Sequence, residues 1–394
     1  MATLEERTAG GVSFGLTDEQ KALRQLAHDF AEREIRPKEK EYDEHSTHPA
    51  DVIAKAHELG LMNVHIPEAY GGLQLGAFEG MIVGEELCWG CSGIGTAIAA
   101  NGLGHGPVII AGTEEQKRKW LPPLVDEVLL TSFALTEPNA GSDVSGIQTT
   151  AVRDGGDYVL NGSKMFITNA GHAAWFTVFA STDKSQGHRG LTAFVAPSDL
   201  DGVVVDRHLD KMGQRSTDTS ALSFTDVRIP VENRLGEEGE GFKICEKWLV
   251  EGRIPYAAGT IGIAQAALEI AIDWARSRET FKSRLADKQA IQWMIADSDM
   301  ELRAARLLVY QAAWSGDLGR DLKVDSSIAK VVATETAGRV VDRCIQILGG
   351  LGVAQELPLE RWYRELRIKR IGEGPSEVHR MVLARQLLGR GGAA

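Results

Sequence analysis

The chain has 394 residues, of which 43% are hydrophobic and 25% charged. This composition excludes a mainly disordered chain and leaves room for two or three domains of roughly 100–200 residues each. The 43 Lys and Arg residues against 55 Asp and Glu residues give a net charge of −12, so we predict no nucleic-acid partner.

The sequence also bears on location. Four cysteines are too few for a disulfide framework in a chain of this size, and they predict a cytoplasmic protein. We find no apolar run of the ~18–20 residues that a membrane span requires. The segment 1–15 lacks the apolar core of a signal peptide, so we expect none.

Helical patterns fill the first third of the chain, which we predict to be an N-terminal α-helical domain at residues 1–128. Thr17 and Gln20 form a capping-box pattern ahead of apolar residues at helical spacing, and Pro37 should bend or end that helix. Further helices are expected over residues 51–60, 78–88 and 94–110. The last of these is rich in Ala and Gly, which predicts close helix packing.

Short alternating runs separated by turn dipeptides such as Asp154-Gly155 begin near residue 129. They predict a middle all-β domain at residues 129–236. The expected strands cover residues 158–160, 175–179, 191–195, 203–205 and 221–224.

Long helical patterns return after Pro230 and predict a C-terminal four-helix-type bundle at residues 237–394. The expected helices cover residues 242–275, 287–314, 325–347 and 376–388. A kink is expected at residues 253–255, and Ser376 is the expected N-cap of the last helix. The predicted fold class is therefore α+β, in the order helical, β, helical.

Several patterns typical of other chemistries are interpreted as structural. Glycine clusters at residues 102–106 and 349–352 lie in helical sequence, so they do not fit a dinucleotide-binding loop. Cys88-x-x-Cys91 has no second pair and lies in an apolar segment, so we expect two buried residues and no metal site. His45 and His48 are interpreted as part of a solvated loop. The basic residues at 361–370 have helical spacing, and we expect them to be solvated or paired between subunits; contact with the phosphates of a substrate is the less favoured alternative.

Two segments have compositions that suit a nucleotide-like ligand. Residues 135–143, LTEPNAGSD, predict a turn with free backbone N–H groups that can bind a flat polar ring or a phosphate. A plain domain connection would have the same composition. Arg278 can bind a pyrophosphate while Phe281 covers an adenine, with Gln289 just beyond, but an exposed helix end is the alternative.

A third segment places a single carboxylate between two glycines. Glu373 stands between Gly372 and Gly374, so its side chain is free of crowding and another molecule can approach the backbone closely. This arrangement suits a carboxylate that acts on a substrate, and it also suits a flexible turn with a solvated Glu.

Five strings, in this order and spacing, resemble the acyl-CoA dehydrogenase family: TEPNAGSD, YVLNGSKMFITNAG, RETF, QILGG and IGEGPSEVHR. The resemblance covers residues 16–388. It implies an oxidoreductase that converts an acyl-CoA thioester to a trans-2-enoyl-CoA, with FAD as cofactor and electron-transferring flavoprotein as electron acceptor. It also implies a homotetramer in which a second subunit closes each FAD site.

The resemblance implies the site residues one by one. Those expected to line or cover the flavin are Phe133, Leu135, Thr136, Gly141, Ser142, Phe166, Ile167, Thr168 and Pro375. Those expected to hold the ADP half, part of it across a subunit interface, are Arg278, Phe281, Gln289, Gln346, Gly349 and Gly350. Substrate contacts are expected from Ser142, Arg253, Gly372 and Gly374.

Glu373 takes the position of the family's usual catalytic base. In the family this base removes the α proton while the β hydride moves to the flavin, and its backbone N–H helps to hold the thioester oxygen. Some members place the base on an earlier helix, where this chain has Gly252 next to Arg253. Glu251 is then the only nearby rival, and one residue along a helix turns it about 100° away.

The chain departs from the family pattern at the acyl end. Gly372 replaces a residue that is often aromatic, Pro375 replaces one that is often Thr, and Ala99 and Ala100 stand at the pocket floor. These differences predict a reshaped acyl pocket for a branched or cyclic acyl group. An oxidase-like flavoprotein that uses O₂ and a catalytically silent scaffold stay open as alternatives, although the presence of Glu373 argues against the second.

Overall fold

The computed structural model describes residues 15–389, and the first part of its fold is helical. The signal-peptide prediction concerned residues 1–15, and nearly all of that segment lies outside the described residues. Thr17 and Gln20 form the predicted capping box. After a π-helical turn at Ala31–Ile35, the helix ends just before Pro37. The helices are α1 (Asp18–Phe30), α2 (Glu39–His45), α3 (Ala50–Glu58), α4 (Ala77–Gly90), α5 (Ser92–Ala99), α6 (Asn101–Ala111), α7 (Glu114–Trp120) and α8 (Pro123–Asp126).

The Ala- and Gly-rich segment forms two helices, α5 and α6, rather than the one predicted. By length and composition Ser92–Ala111 is apolar enough to cross a membrane, contrary to our expectation that no such run exists. Of its most apolar window, 61% is buried within the protein, as in the core helix of a globular domain. A Cβ atom at Gly104 would collide with Thr131, and one at Gly106 with Trp248, so these glycines permit close packing as predicted.

The predicted β region forms one sheet of eight strands. These are β1 (Leu130–Ala134), β2 (Thr150–Asp154), β3 (Asp157–Thr168), β4 (Ala173–Ser181), β5 (Leu191–Pro197), β6 (Val203–His208), β7 (Thr219–Pro230) and β8 (Arg234–Leu235). The order is β6-β7-β3-β2-β4-β5-β8, and β1 pairs in parallel with β4. This pairing places the end of β1, and the loop that follows it, beside β3.

The last part of the fold is again helical. It contains α9 (Gly241–Ser277), a short hairpin of β9 (Glu279–Thr280) and β10 (Ser283–Arg284), α10 (Gln289–Asp317), α11 (Lys323–Leu348), α12 (Gly350–Val353), α13 (Leu359–Lys369) and α14 (Ser376–Leu387). α9 continues through Pro255 as a single helix. Its small residues pack against α4, and a Cβ atom at Gly262 would collide with the Glu85 carbonyl. Helical elements therefore flank the sheet in sequence, which confirms the predicted α+β class.

Two details of the last helices differ from the prediction. Ser376 is the first helical residue rather than the N-cap, because Pro375 holds the extended cap conformation ahead of it. The basic residues at 361–370 divide: Arg361 pairs with Glu39 at 3.2 Å, Arg364 pairs with Asp43 at 2.9 Å and Lys369 is buried, contrary to the prediction. Arg367 and Arg370 are exposed, as expected of a solvated face. α13 packs against α2, so its basic face meets the carboxylates of the N-terminal helices.

Candidate active site

A buried ion pair fixes the loop that follows β1. Lys164 Nζ of β3 lies 2.8 Å from Glu137 Oε1, and both side chains are at most 4% exposed. The same ammonium donates to the carbonyl oxygens of Leu135 at 3.0 Å and Phe179 at 2.7 Å. Burial by itself would raise the pKa of Glu137, but Lys164 and the hydrogen bonds that Glu137 accepts lower it below the usual value. The loop is thus attached to the sheet by a charged group that has several partners.

The structure places the loop after β1 beside the segment 166–168, and both contain residues expected around the flavin ring. The Met165 N–H donates to the Thr136 carbonyl at 2.8 Å, so the loop lies beside the segment 166–168. Phe166 is 65% exposed and has φ +62°, at a break in the β3–β7 pairing that turns its ring outward. Ile167 is buried in the β core, so any contact it makes to a ligand is through its backbone.

The tip of this loop offers unpaired donors. Gly141 and Ser142 are exposed, and within residues 15–389 their backbone N–H groups have no acceptor. A Cβ atom at Gly141 would meet nothing within 4 Å, so the backbone is open to an approaching molecule. An exposed aromatic ring beside free N–H groups suits a ligand with a flat, partly polar ring.

A second group of predicted residues lies at the far end of the α10–α11 pair. Ion pairs from Glu301 to Arg339 and Arg343 show that these helices run side by side. The start of α10 therefore lies near the end of α11. The members of this group are all exposed: Arg278, Phe281, Gln289, Gln346, Gly349 and Gly350. In the described part of the chain no hydrogen bond or ion pair joins them to the loop at residues 135–143.

Glu373 lies in a tight turn between α13 and α14. Its φ is +57° and that of Gly374 is +91°, a left-handed pair that only the glycine adopts readily. Two buried side chains hold the carbonyls of this turn: Lys330 Nζ donates to the Gly374 oxygen at 2.6 Å, and His379 Nε2 lies 3.1 Å from the Glu373 oxygen. The turn is therefore fixed from the side of α11 and α14.

The protonation of His379 follows from its surroundings. Burial, with Arg253 and Lys330 nearby, lowers its pKa to about 4, so the ring is neutral at pH 7. Its single proton must lie on Nε2 to donate to the Glu373 carbonyl. Ser327 Oγ lies 3.1 Å from the unprotonated Nδ1, and it donates its one proton to the Lys323 carbonyl at 2.7 Å.

The Glu373 carboxylate is buried but incompletely bonded. Oε2 has no hydrogen-bond partner among the described residues, and the same holds for the buried Nε of Arg253 nearby. Burial raises the pKa of Glu373, while the positive charges of Arg253, Lys330 and Lys369 oppose the shift. An open acceptor and an open donor at one place leave room for a ligand with matching groups.

The rival carboxylate is separate from this charged group. Glu251 is half-buried, and burial raises its pKa while the charge of Lys247 opposes the shift. A Cβ atom at Gly252 would meet only Leu103, at 3.5 Å. Glu373, rather than Glu251, therefore lies among the cations.

Three residues that support the site were missed by sequence reasoning: Lys164, Lys330 and His379. A signal existed for Lys330, because it shares the apolar face of α11 with Ala333 and Ala337. A lysine at such a position indicates a buried partner. None of the three has a sequence neighbour that identifies that partner.

Other expectations are settled by burial and packing. Cys88 and Cys91 are buried free thiols, as predicted, and within residues 15–389 no group of three or more His, Cys, Asp or Glu side chains could hold a metal ion. His48 is not in a solvated loop: its ring stacks on that of His172 with centroids 3.7 Å apart, and burial lowers its pKa to about 4.

Comparisons with known proteins agree with this architecture. Profiles of the N-terminal, middle and C-terminal domains of acyl-CoA dehydrogenases match residues 17–127, 132–227 and 239–388. The chain is 42% identical over 384 residues to the short-chain specific acyl-CoA dehydrogenase of Megasphaera elsdenii, which covers 96% of this chain and 100% of that one.

Solved structures give the same result. The butyryl-CoA dehydrogenase of Megasphaera elsdenii matches with a TM-score of 0.93 and 41% identity, covering 96% of this chain and 100% of that chain. A chain from work on the electron transferring flavoprotein of Acidaminococcus fermentans matches with a TM-score of 0.93, 40% identity and the same coverage. The present chain therefore belongs to the acyl-CoA dehydrogenase family, and it is an oxidoreductase of that family.

Proposed function

We propose that this protein is a FAD-dependent acyl-CoA dehydrogenase that forms trans-2-enoyl-CoA, with Glu373 as its catalytic base. The observation that carries the proposal is the Glu373 carboxylate, whose Oε2 is buried near Arg253 and has no hydrogen-bond partner within residues 15–389. A base with a raised pKa and a free acceptor atom suits removal of a weakly acidic α proton. Glu373 also distinguishes the chain from a silent family copy.

The residues of the loop and of β3 fit a flavin. Phe133, Leu135, Thr136, Gly141, Ser142, Phe166, Ile167 and Thr168 would contact its ring, and Pro375 would approach it from the base turn. The free N–H groups of the loop supply donors, and Phe166 supplies an apolar face. When bound, FAD supplies the acceptor for the hydride that leaves the β carbon.

The chain's own groups then perform the proton step. Glu373 accepts the α proton at a carboxylate oxygen, and Lys330 and His379 keep the turn from shifting as the charge changes. We propose that the Glu373 backbone N–H holds the thioester oxygen, where negative charge develops. Ser142, Arg253, Gly372 and Gly374 would border the bound acyl-CoA.

The ADP half of FAD would be held by Arg278, Phe281, Gln289, Gln346, Gly349 and Gly350 of a neighbouring subunit. Support comes from the exposure of all six residues at one end of the helical bundle; Phe281 is 95% exposed. We propose that each subunit has three domains, at residues 1–128, 129–236 and 237–394. We also propose that four such subunits form a homotetramer. We also propose a cytoplasmic location and electron-transferring flavoprotein as the acceptor, in keeping with the Acidaminococcus match.

The proposal is tested by purifying the full chain and recording its visible spectrum. We expect a yellow protein with one FAD per subunit, bleached anaerobically by an acyl-CoA and reoxidised faster by electron-transferring flavoprotein than by O₂. A chain that folds but stays colourless after incubation with FAD would contradict the cofactor assignment. Faster reoxidation by O₂ would instead indicate an oxidase.

Replacing Arg278 with Ala should weaken FAD binding and the oligomer together. Loss of a desolvated, charge-assisted contact to the pyrophosphate should cost on the order of 2–4 kcal/mol. Retention of FAD through dialysis and the native mass measure the two effects. Arg276→Ala is the matched control, because Arg276 is an exposed arginine two residues earlier on α9. Equal behaviour of the two variants would contradict the cross-subunit role.

A further inference from the structure

A buried ammonium lies one helical turn before the base. Lys369 is the last residue of α13, and only 2% of it is exposed. Its Nζ donates to Thr96 Oγ1 at 3.1 Å and lies 4.2 Å from the centre of the Tyr256 ring. Among the described residues these are its only direct polar and ring contacts.

This ammonium has no ion-pair partner in the part of the chain that the structure describes. Within residues 15–389 no carboxylate oxygen lies within 4.0 Å of Lys369 Nζ, although Glu365 is one turn earlier on the same helix. An ammonium has three donors, and only one is used. Burial lowers the pKa of Lys369, and the nearby Cys88, Glu365 and Glu373 oppose this shift without making a direct contact to the ammonium.

Two hydroxyl groups near Lys369 also have a proton to give. Thr96 Oγ1 already accepts from Lys369 and, at 3.0 Å, from Gln214 Nε2, so its own O–H is free to donate. The Tyr256 hydroxyl makes no hydrogen bond in the described part of the chain, and Tyr256 is only half-buried. Three donor groups therefore meet here, and residues 15–389 supply no hydrogen-bond acceptor for their free protons.

This group of donors lies next to the reaction centre. A Cβ atom at Gly372 would lie 2.6 Å from the Tyr256 hydroxyl, so the phenol occupies the space beside the residue that precedes the base. Thr96 is on α5, one turn before Ala99. The charge of Lys369 acts on the Glu373 carboxylate. An acyl chain whose α carbon faces Glu373 thus has these donors within reach of its distal part.

We infer that the substrate's acyl group carries a carboxylate beyond its β carbon and that Lys369, Tyr256 and Thr96 bind this carboxylate. The inference rests on the proposed dehydrogenase function and names its substrate class, in place of the branched or cyclic group predicted from the small residues alone. A carboxylate matches one cation and two neutral donors in charge and in acceptor number. A plain alkyl chain would leave the ammonium buried and unpaired, and an uncharged hydroxyl would not compensate its charge.

The test compares thioesters of equal chain length with the FAD-loaded protein. Anaerobic flavin reduction is measured with glutaryl-CoA and adipyl-CoA against pentanoyl-CoA and hexanoyl-CoA. We expect kcat/KM for the better dicarboxylic thioester to exceed that of its unsubstituted partner by about 10- to 100-fold, since unmatched buried polar groups penalise the partner. Lys369→Met, similar in length but uncharged, should reverse the order.

Two further variants separate recognition from folding. Tyr256→Phe removes only the hydroxyl and should reduce the preference for the carboxylate by less than Lys369→Met. Lys21→Met, at an exposed lysine of α1, changes the net charge by the same amount and should leave the preference for the dicarboxylic thioester unchanged. FAD content and thermal midpoint are recorded for each variant, so a preference lost without either changing is assigned to recognition.

Each outcome has a distinct meaning. If the native protein prefers the unsubstituted thioesters, or if Lys369→Met slows reduction by both classes equally, the carboxylate assignment is wrong while the dehydrogenase function stands. If none of the four thioesters bleaches the flavin, the proposed function itself is contradicted, and this inference with it.

Discussion

Glu373→Gln is expected to retain FAD and to bind acyl-CoA but to fail to reduce the flavin. Glutamine has nearly the same shape and keeps the backbone N–H, so the turn held by Lys330 and His379 should persist. It cannot accept the α proton at neutral pH. Removal of a positioned base should slow flavin reduction by ~10²–10⁴ or more, measured by anaerobic stopped flow.

Glu251→Gln is the matched control, because Glu251 is also partly buried and has a raised pKa. It should leave the reduction rate near that of the native protein. The rate of flavin reduction by the native protein should rise with pH, because only the ionised form of Glu373 accepts the proton. The pKa that governs this rise should lie above the usual value of a glutamate, because burial raises the pKa of Glu373. Near-normal bleaching by the Glu373 variant, or a loss confined to the Glu251 variant, would move the base to the earlier helix.

Lys164→Met should strongly destabilise the protein. The substitution leaves Glu137 buried without its cation, and it also removes the hydrogen bonds to the Leu135 and Phe179 carbonyls. Breaking a buried pair by removing one partner costs about 3–5 kcal/mol, so the free energy of unfolding in urea should fall by this amount. FAD should be lost at lower urea than from the native protein, because the loop at residues 135–143 loses its attachment to β3.

The double variant Lys164→Met with Glu137→Leu isolates the cause. If the loss of stability comes from the Glu137 carboxylate that is left without a cation, the double variant should be more stable than Lys164→Met alone. An equally low or lower stability would show that packing around the lysine stem, rather than the buried charge, carries the effect. An exposed pair such as Arg303–Asp299, separated in the same way, should change stability by about 1 kcal/mol or less.

The helix and strand plan is readable from the sequence because its signals are local. The capping box at Thr17 and Gln20, the turn at Asp154-Gly155 and the apolar run of β4 each act over a few residues, and each element formed where predicted. The motif strings identified the family and proposed Glu373 as the base. Even here, helix ends shifted by a few residues, and one predicted helix became α5 and α6.

The tertiary structure decided what the charged residues do, because a charge is exposed or buried according to partners far along the chain. Lys164 finds Glu137 27 residues away, Lys330 finds Gly374 44 residues away, and Arg364 finds Asp43 321 residues away. No local pattern encodes such pairs. A basic run that indicated a solvated helix therefore has Arg361 and Lys369 buried, while Arg367 and Arg370 stay exposed. The sequence by itself determined the secondary-structure elements, the family and the candidate base. Only the packing of α5, α9 and α13 brought Lys369, Tyr256 and Thr96 together. Side chains from separate helices meet only when the apolar faces of those helices are buried against one another.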